Sequence, residues 1–262
     1  MGEAIAITSG KGGVGKSSVC INMGMVLAQK GYRVCLIDVD LGLKNLDVML
    51  GLENRVIYDL KDVMEGRCTL ANAMIRDKRQ DNLYLLPACK TIHIQYFHGE
   101  DLKIVVEELK NQFDYILLDT PAGIESGFIH SIACVSRAIV VTTLDVTALQ
   151  DADRIIGLLE SGGLRDIRLI INRLRPEMIA RGDMMSVEDV LEILAVDLIG
   201  AILDDEQIVI STNQGEPLSG KNSQAEEEYR NICRRLMGEE VPYVTVRRKN
   251  GVFHRLGSIF RK

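Results

Sequence analysis

The apolar positions of the chain fall into seven short, nearly continuous runs that are separated by longer amphipathic stretches. Runs of this kind are typical of strands covered on both faces, because both sides of such a strand must be apolar. The predicted strands are residues 4–8, 33–38, 83–88, 115–119, 138–142, 168–172 and 198–203.

The intervening stretches predict helices, and strand and helix alternate along the chain. This alternation favours an α/β fold with a mainly parallel, twisted sheet and helices on both faces, a three-layer sandwich. We expect this domain to span residues 1–240, followed by a linker at 241–250 and a tail at 251–262. The predicted helices are residues 16–30, 101–112, 147–160, 186–195 and 224–237.

Composition narrows the class of protein. An apolar fraction of 47% supports a well-buried core, and the six cysteines include no C-x-x-C pair. Scattered cysteines are typical of reduced thiols in a cytosolic protein, so we expect neither a disulfide framework nor a zinc site. The sequence has no signal-peptide pattern and no apolar stretch of membrane-spanning length. These observations predict a cytoplasmic protein.

The net charge of −6 is unevenly distributed along the chain. Residues 247–262 hold six Arg and Lys and no acidic residue, which leaves 25 basic and 37 acidic residues, a net charge of −12, in the rest. An acidic body argues against a nucleic-acid binder, because such proteins neutralise phosphates with Lys and Arg. The basic tail therefore needs a function of its own.

A glycine-rich loop lies between the first predicted strand and the first predicted helix. Residues 10–17, GKGGVGKS, match G-x-x-x-x-G-K-[ST] in the strand–loop–helix context that this motif requires. Glycines let backbone N–H groups turn toward phosphate oxygens. We expect Lys16 to contact the β- and γ-phosphates and the Ser17 hydroxyl to bind Mg²⁺, which predicts a P-loop NTPase. The candidate nucleotide-binding residues of the loop are Gly10, Lys11, Gly12, Gly13, Val14, Gly15, Lys16, Ser17 and Ser18.

Carboxylates follow two of the predicted strands. Asp38 and Asp40 stand at the end of LIDVD, and Asp119 stands at the end of YILLD. Ligands of parallel sheets collect at the carboxyl ends of the strands, so we expect all three carboxylates to face the glycine-rich loop.

Three segments together resemble a known family. KGGVGKSS is similar to the deviant Walker A motif, KGG-x-x-K-[ST], of the MinD/ParA group of ATPases, and LIDVDLGLKNLDVMLGLE and LLDTPAGIE resemble the two switch segments of the MinD family. The resemblance runs from residue 3 to about residue 240, with a matching tail. It implies an ATPase that works as a homodimer.

The resemblance also implies roles for individual residues. Lys11 is the signature lysine, which reaches the phosphates of a second, ATP-bound subunit, so that hydrolysis depends on dimerisation. Asp40 orients or polarises the attacking water. Asp38 and Asp119 hold waters on Mg²⁺, and Asp119 also senses the γ-phosphate. Asn172 contacts adenine; the guanine-specifying pattern N-K-x-D is absent, which favours ATP over GTP.

Family resemblance further implies partners and a task. The ATP-bound dimer would recruit the division inhibitor MinC, and MinE or an analogous positioning protein would discharge it. Together they would restrict septum formation to the middle of the cell. A flagellar-number ATPase similar to MinD and a ParA-type partitioning ATPase remain alternatives, whereas the lack of clustered cysteines disfavours an iron–sulfur carrier.

The tail has the pattern of an amphipathic helix. Its apolar residues fall within an arc of about 120° on a helical wheel, and the basic residues occupy most of the remainder. Such a helix is typical of reversible attachment to anionic lipid on the cytoplasmic face of a membrane, although a terminal helix that packs on its own domain has the same pattern. The candidate membrane-contacting residues are Val252, Phe253, Leu256, Ile259 and Phe260.

Overall fold

The computed structural model describes residues 1–40, 45–89, 99–124 and 126–243. Within them, one twisted sheet has the strand order β3-β4-β2-β5-β1-β6-β7-β8. Every neighbouring pair is parallel except β3 and β4, which are antiparallel. The strands are β1 (Glu3–Thr8), β2 (Val34–Asp38), β3 (Ile75–Arg76), β4 (Leu83–Leu86), β5 (Tyr115–Asp119), β6 (Arg137–Thr142), β7 (Asp166–Leu174) and β8 (Asp197–Leu203).

Helices connect the strands and cover both faces of the sheet. A single 3₁₀ turn, Glu53–Arg55, lies between the second and third helices. The helices are α1 (Lys16–Gln29), α2 (Leu46–Met49), α3 (Leu60–Met64), α4 (Leu70–Ala73), α5 (Gly99–Lys110), α6 (Ser126–Ile132), α7 (Val146–Ser161), α8 (Pro176–Arg181), α9 (Val187–Leu194), α10 (Glu206–Asn213) and α11 (Gln224–Leu236).

The three-layer prediction is confirmed by the core. Along β1, Ile5 and Ile7 pack with α1 and α11 on one face. The alternate residues Ala4 and Ala6 pack on the opposite face, beside α5 and α7 respectively. This alternation, with both faces buried, explains why the strands have continuous apolar runs in the sequence.

The seven predicted strands and five predicted helices are confirmed, with shifts of a few residues at their ends. Seven other elements of the described chain were not predicted; six of them have two to seven residues, which for a helix is less than two turns. The seven are β3, α2, α3, α4, α6, α8 and α10. All six cysteines are free thiols, as the sequence predicts.

The chain remains packed against the domain beyond α11. Arg235 donates hydrogen bonds to the carbonyl oxygens of Val241 and Pro242, and its guanidinium lies 4.3 Å from the ring centroid of Tyr243. Residues 241–243 of the predicted linker therefore contact the body. The remainder of the linker and the predicted tail at 251–262, with all five candidate membrane-contacting residues, lie outside the described residues.

Candidate nucleotide-binding site

The topology brings the glycine-rich loop and the strand-end carboxylates to one edge of the sheet. The loop follows β1, and β5 pairs with β1 on one side and with β2 on the other. Asp38 and Asp119 are register partners at the ends of β2 and β5. The strand order therefore places the ends of β5 and β2 at the edge of the sheet from which the loop leaves β1.

The backbone of the loop needs glycine at defined positions. Gly13 and Gly15 have φ angles of 82° and 96°, a region that residues with a β-carbon rarely adopt. A β-carbon on Gly10 would lie 2.3 Å from the carbonyl of Asp151 in α7, so the loop packs directly on this helix. A β-carbon on Gly12 would meet nothing within 4 Å, so the outer side of the loop is open.

Lys16, in the first turn of α1, points into the protein. Its Nζ lies 2.7 Å from Oδ1 of Asp119, and the two side chains are only 8% and 1% exposed. Ser17 and Ser18 follow in the same turn and are half-buried. Burial raises the pKa of Asp119, whereas the neighbouring Lys16 and Ser17 lower it, and the net direction is upward. Its other oxygen, Oδ2, is buried with no hydrogen-bond partner among the described residues.

Asp38 is held by the backbone of the segment that follows it. Its Oδ1 accepts a hydrogen bond from the N–H of Asp40, at 3.1 Å, and its Oδ2 accepts from Asn45 and Leu46, at 3.2 and 3.3 Å. Burial, and next the charge of Asp119, raise the pKa of Asp38 to about 8. Two adjacent buried carboxylates with raised pKa values form a site that a cation would stabilise.

Asp40 lies just beyond the end of β2 and is half-buried. Its charge is close enough to Asp119 to raise the pKa of that carboxyl group. The segment after β5 also borders the loop, because the N–H of Gly123 donates to the carbonyl oxygen of Ser9 at 2.9 Å.

The second lysine of the loop has a different environment. Lys11 is exposed, and its Nζ donates a hydrogen bond to Oγ1 of Thr147 in α7 at 3.1 Å. Lys16 is thus directed inward to Asp119, and Lys11 lies on the outer surface of the loop. No sequence pattern indicated Thr147 or Asp151, because the contacts that α7 makes with the loop depend on the strand order.

Asn172, near the end of β7, contacts the backbone of the glycine-rich loop. Its Nδ2 donates to the carbonyl oxygen of Val14 at 2.7 Å, and a β-carbon on Gly15 would lie 2.2 Å from this nitrogen. Its Oδ1 is buried and has no partner in the described part of the chain. The bond to Val14 is a structural role that the sequence did not predict; the adenine contact stays a prediction.

These features fit a magnesium-bound nucleotide. A β-carbon on Gly12 or Gly13 would meet nothing within 4 Å, and the buried Oδ2 of Asp119 and Oδ1 of Asn172 lack partners within the described ranges. No group of three or more His, Cys, Asp and Glu side chains within the described residues is arranged to hold a metal by itself. Binding of Mg²⁺ would therefore rely on phosphate oxygens together with Ser17 and the carboxylates. None of the described helices is both long enough and apolar enough to cross a membrane.

Comparison with known proteins gives the family of the chain. Residues 5–218 match the family model of the CobQ/CobB/MinD/ParA nucleotide binding domain. The chain is 47% identical to the septum site-determining protein MinD of Bacillus subtilis over 99% of this chain and 98% of that relative.

Two solved structures share its fold at substantial identity. The Aquifex aeolicus MinC:MinD cell division protein complex matches with a TM-score of 0.86 and 46% identity, covering 92% of this chain and 97% of the other. The septum site-determining protein MinD of Pyrococcus horikoshii, complexed with Mg-ADP, matches with a TM-score of 0.81 and 28% identity, covering 90% and 96%. The chain therefore belongs to the MinD family of septum site-determining proteins, within the CobQ/CobB/MinD/ParA nucleotide-binding group.

Proposed function

We propose that this protein is an ATP-hydrolysing switch that dimerises with ATP, attaches reversibly to the membrane as a dimer, and controls where the division septum forms. Its fold, its loop and its family membership support ATP binding and a role in placing the septum. The coupling of ATP to dimerisation and to the membrane depends on single residues of the loop and on the tail.

The observation that carries the proposal is the separation of the two lysines of one loop. Lys16 is buried against Asp119, whereas Lys11 is exposed and its Nζ bonds to Thr147 on the outer surface. In the proposed dimer, this exposed cation contacts the triphosphate of the second subunit. There it would stabilise the negative charge that develops in the transition state, as an arginine finger does. Hydrolysis would then require dimerisation.

Other residues divide the binding of the nucleotide among them. The backbone N–H groups of residues 10–18 surround the phosphates, Lys16 neutralises them, and Ser17, Asp38 and Asp119 hold the magnesium side. Magnesium, when bound, supplies positive charge to the phosphate oxygens. Asp40, half-buried beyond β2, orients the attacking water.

Asn172 selects the base. Its buried Oδ1 is an acceptor with no partner among the described residues. The amino group of adenine is a donor, and the corresponding atom of guanine is an acceptor. A buried acceptor discriminates strongly against a second acceptor, because neither finds a partner. Asn172 therefore favours ATP over GTP.

The sequence of residues 251–262 supports reversible attachment. One short amphipathic segment binds anionic lipid weakly. Two such segments on one dimer bind nearly as a single event, and linkage of this kind strengthens binding by about a hundredfold or more. Because ATP controls dimerisation, it would control the location of the protein between the cytoplasm and the cytoplasmic face of the membrane.

The membrane-bound dimer is the form that we expect to bind partner proteins. The related Aquifex aeolicus protein is found in a MinC:MinD complex. By this likeness, the ATP-bound dimer recruits MinC, and MinE or an analogous positioning protein stimulates hydrolysis and releases the dimer.

Two measurements test the proposal. Light scattering should show doubling of the 29.1 kDa mass with ATP and magnesium but not with ADP. Lys11→Ala should abolish the doubling, whereas Lys30→Ala, which removes an exposed lysine at the other end of α1, should preserve it.

Anionic vesicles should sediment the wild-type chain with ATP only, and a chain ending at Tyr243 should stay in solution. Equal sedimentation with ADP and ATP would refute the coupling.

A further inference from the structure

Arg79, in the turn between β3 and β4, joins three separate segments of the chain. Its Nη2 donates to the carbonyl oxygen of Leu50 at 2.9 Å, and its Nη1 donates to that of Gly215 at 2.8 Å. The guanidinium is itself oriented by Asp77, whose carboxylate accepts from Nε at 3.2 Å and from Nη2 at 2.5 Å. Asp77 is only 3% exposed, so this orientation is fixed within the protein.

Leu50 directly follows α2, the short helix that begins beside Asp38. At its amino end, the N–H groups of Asn45 and Leu46 donate to Oδ2 of Asp38. At its carboxyl end, the carbonyl of Leu50 accepts from Arg79. The helix is therefore held by polar contacts at both ends, by two hydrogen bonds to Asp38 and by one from Arg79.

Apolar packing alone does not fix the position of α2 along its axis. Leu46, Leu50 and Leu52 are fully buried and hold the segment against the core. Burial is non-directional, however, and a four-residue helix has little stability of its own. Hydrogen bonds depend steeply on distance and angle. A small shift of α2 would preserve the buried area and still move two N–H groups away from Asp38.

The contact of Arg79 with Gly215 fixes the carboxyl end of α2 against a second segment of the chain. A β-carbon on Gly51 would lie 3.0 Å from the carbonyl oxygen of Gly215, and one on Gly215 would lie 2.9 Å from Cα of Gly51. The end of the α2 segment thus lies directly against the turn after α10. That turn is fixed in its own right, because the N–H of Leu218 donates to Oδ1 of Asn22 in α1 at 2.7 Å.

We propose that Arg79 is a positioning residue for magnesium: by fixing the carboxyl end of α2 it holds the two N–H groups that orient the Asp38 carboxylate. This inference rests on the proposed function, in which Asp38 serves the magnesium side of the nucleotide site. Groups that hydrogen-bond directly to a metal-binding side chain typically change metal affinity by about 10- to 100-fold when they are lost. Arg79 acts on Asp38 through α2, so we expect a smaller effect.

The test measures nucleotide binding without hydrolysis. The affinity of the full chain for a fluorescent ADP analogue is followed as magnesium is titrated, and again in EDTA. Arg79→Lys keeps a cation beside Asp77 but loses the planar fork that reaches both carbonyls. We expect the magnesium concentration at half-effect to rise severalfold, by less than the roughly 10-fold that loss of a direct partner of the carboxylate causes, with the affinity in EDTA unchanged. Arg76→Lys, in the same hairpin and paired at the surface with Asp81, is the matched control and should titrate like wild type.

The outcomes are distinct. A wild-type chain that binds no nucleotide would overturn the proposed function. A wild-type response to magnesium with an unchanged titration in Arg79→Lys would overturn only the role of Arg79. An equal loss of affinity with and without magnesium would also overturn it, because that result indicates general damage to the fold. Asp77→Asn keeps the bonds that Oδ1 accepts from the backbone N–H groups of Arg79 and Gln80 but removes the charge that orients the Arg79 guanidinium. It should show the same shift in the magnesium titration, and it replaces Arg79→Lys as the test if that variant does not fold.

Discussion

The ammonium group of Lys16 lies 2.7 Å from a carboxylate oxygen of Asp119, and the two side chains have almost no contact with solvent. The pair connects the first turn of α1 to the end of β5, which are far apart in the sequence. In a low-dielectric interior, each charge depends on the other for its stability. In the absence of a bound phosphate, Asp119 is the negative group that neutralises Lys16.

Removal of one charge from this pair should destabilise the protein. Asp119→Asn removes the carboxylate that contacts Lys16, and we expect the free energy of unfolding to fall by up to about 3–5 kcal/mol, the usual result when a buried pair is broken. Urea denaturation of the ligand-free protein measures the change. The double variant Lys16→Gln, Asp119→Asn has no isolated charge and should recover part of the loss. A double variant less stable than Asp119→Asn alone would contradict this account.

Two glycines of one loop should respond differently to alanine. In Gly15→Ala the new β-carbon would lie 2.2 Å from Nδ2 of Asn172, at a φ of 96°. Strain of this kind costs about 1–3 kcal/mol before the clash is counted. In Gly12→Ala the β-carbon meets nothing within 4 Å. We therefore expect thermal unfolding to show a lower melting temperature for Gly15→Ala only; equal melting temperatures would show that the loop accommodates the added methyl group without cost.

The two polar atoms of Asn172 should have separable roles. Its Nδ2 holds Val14, and its Oδ1 is the buried acceptor. Asn172→Ala removes both, and we expect a loss of about 1–3 kcal/mol in the free energy of unfolding. Wild type should bind ATP more tightly than inosine triphosphate, which lacks the amino group, and the variant should lose this preference. A variant that still binds ATP more tightly than inosine triphosphate would show that other residues select the base.

The sequence predicted those parts of the molecule in which one stretch of chain is enough to produce a pattern. Continuous apolar runs identified seven strands, and the loop motif identified the turn between β1 and α1. The two-residue strand β3 and the four-residue helix α2 are too short to show a period. Contacts such as that of Arg79 with Gly215 join residues far apart in sequence, and a backbone carbonyl acceptor provides no residue-type signal because every residue has one.

The contacts of Arg235 predict where the chain can be shortened. This side chain is 7% exposed and forms an ion pair with Glu228 at 2.8 Å, in addition to its bonds to Val241 and Pro242. A chain ending at Tyr243 keeps these bonds and should unfold at the same urea concentration as the full chain. A chain ending at residue 240 loses two hydrogen bonds to a charged donor, which should cost about 1.5–3 kcal/mol each. Equal midpoints for the two truncations would show that residues 241–243 contribute nothing to stability.

The raised pKa of Asp38 predicts that the contribution of this residue to the stability of the ligand-free protein falls as pH rises. An ordinary aspartate has a pKa of about 3.9, whereas burial and the charge of Asp119 raise the pKa of Asp38 to about 8. Below about pH 4 the carboxyl group is protonated in both the folded and the unfolded chain. Between about pH 4 and pH 8 the unfolded chain has released this proton and the folded chain still holds it, so the folded state becomes less favoured.

Comparison with Asp38→Asn isolates this contribution. The amide does not titrate. The variant should therefore become more stable relative to wild type as pH rises from about 5 to about 8. We expect a shift of at least about 1.4 kcal/mol, the value of one pKa unit. Urea denaturation at several pH values, without nucleotide or magnesium, measures it. A difference that stays constant over this range would mean that the three backbone N–H donors keep Asp38 ionised despite its burial, and that a cation is not needed to stabilise the paired carboxylates.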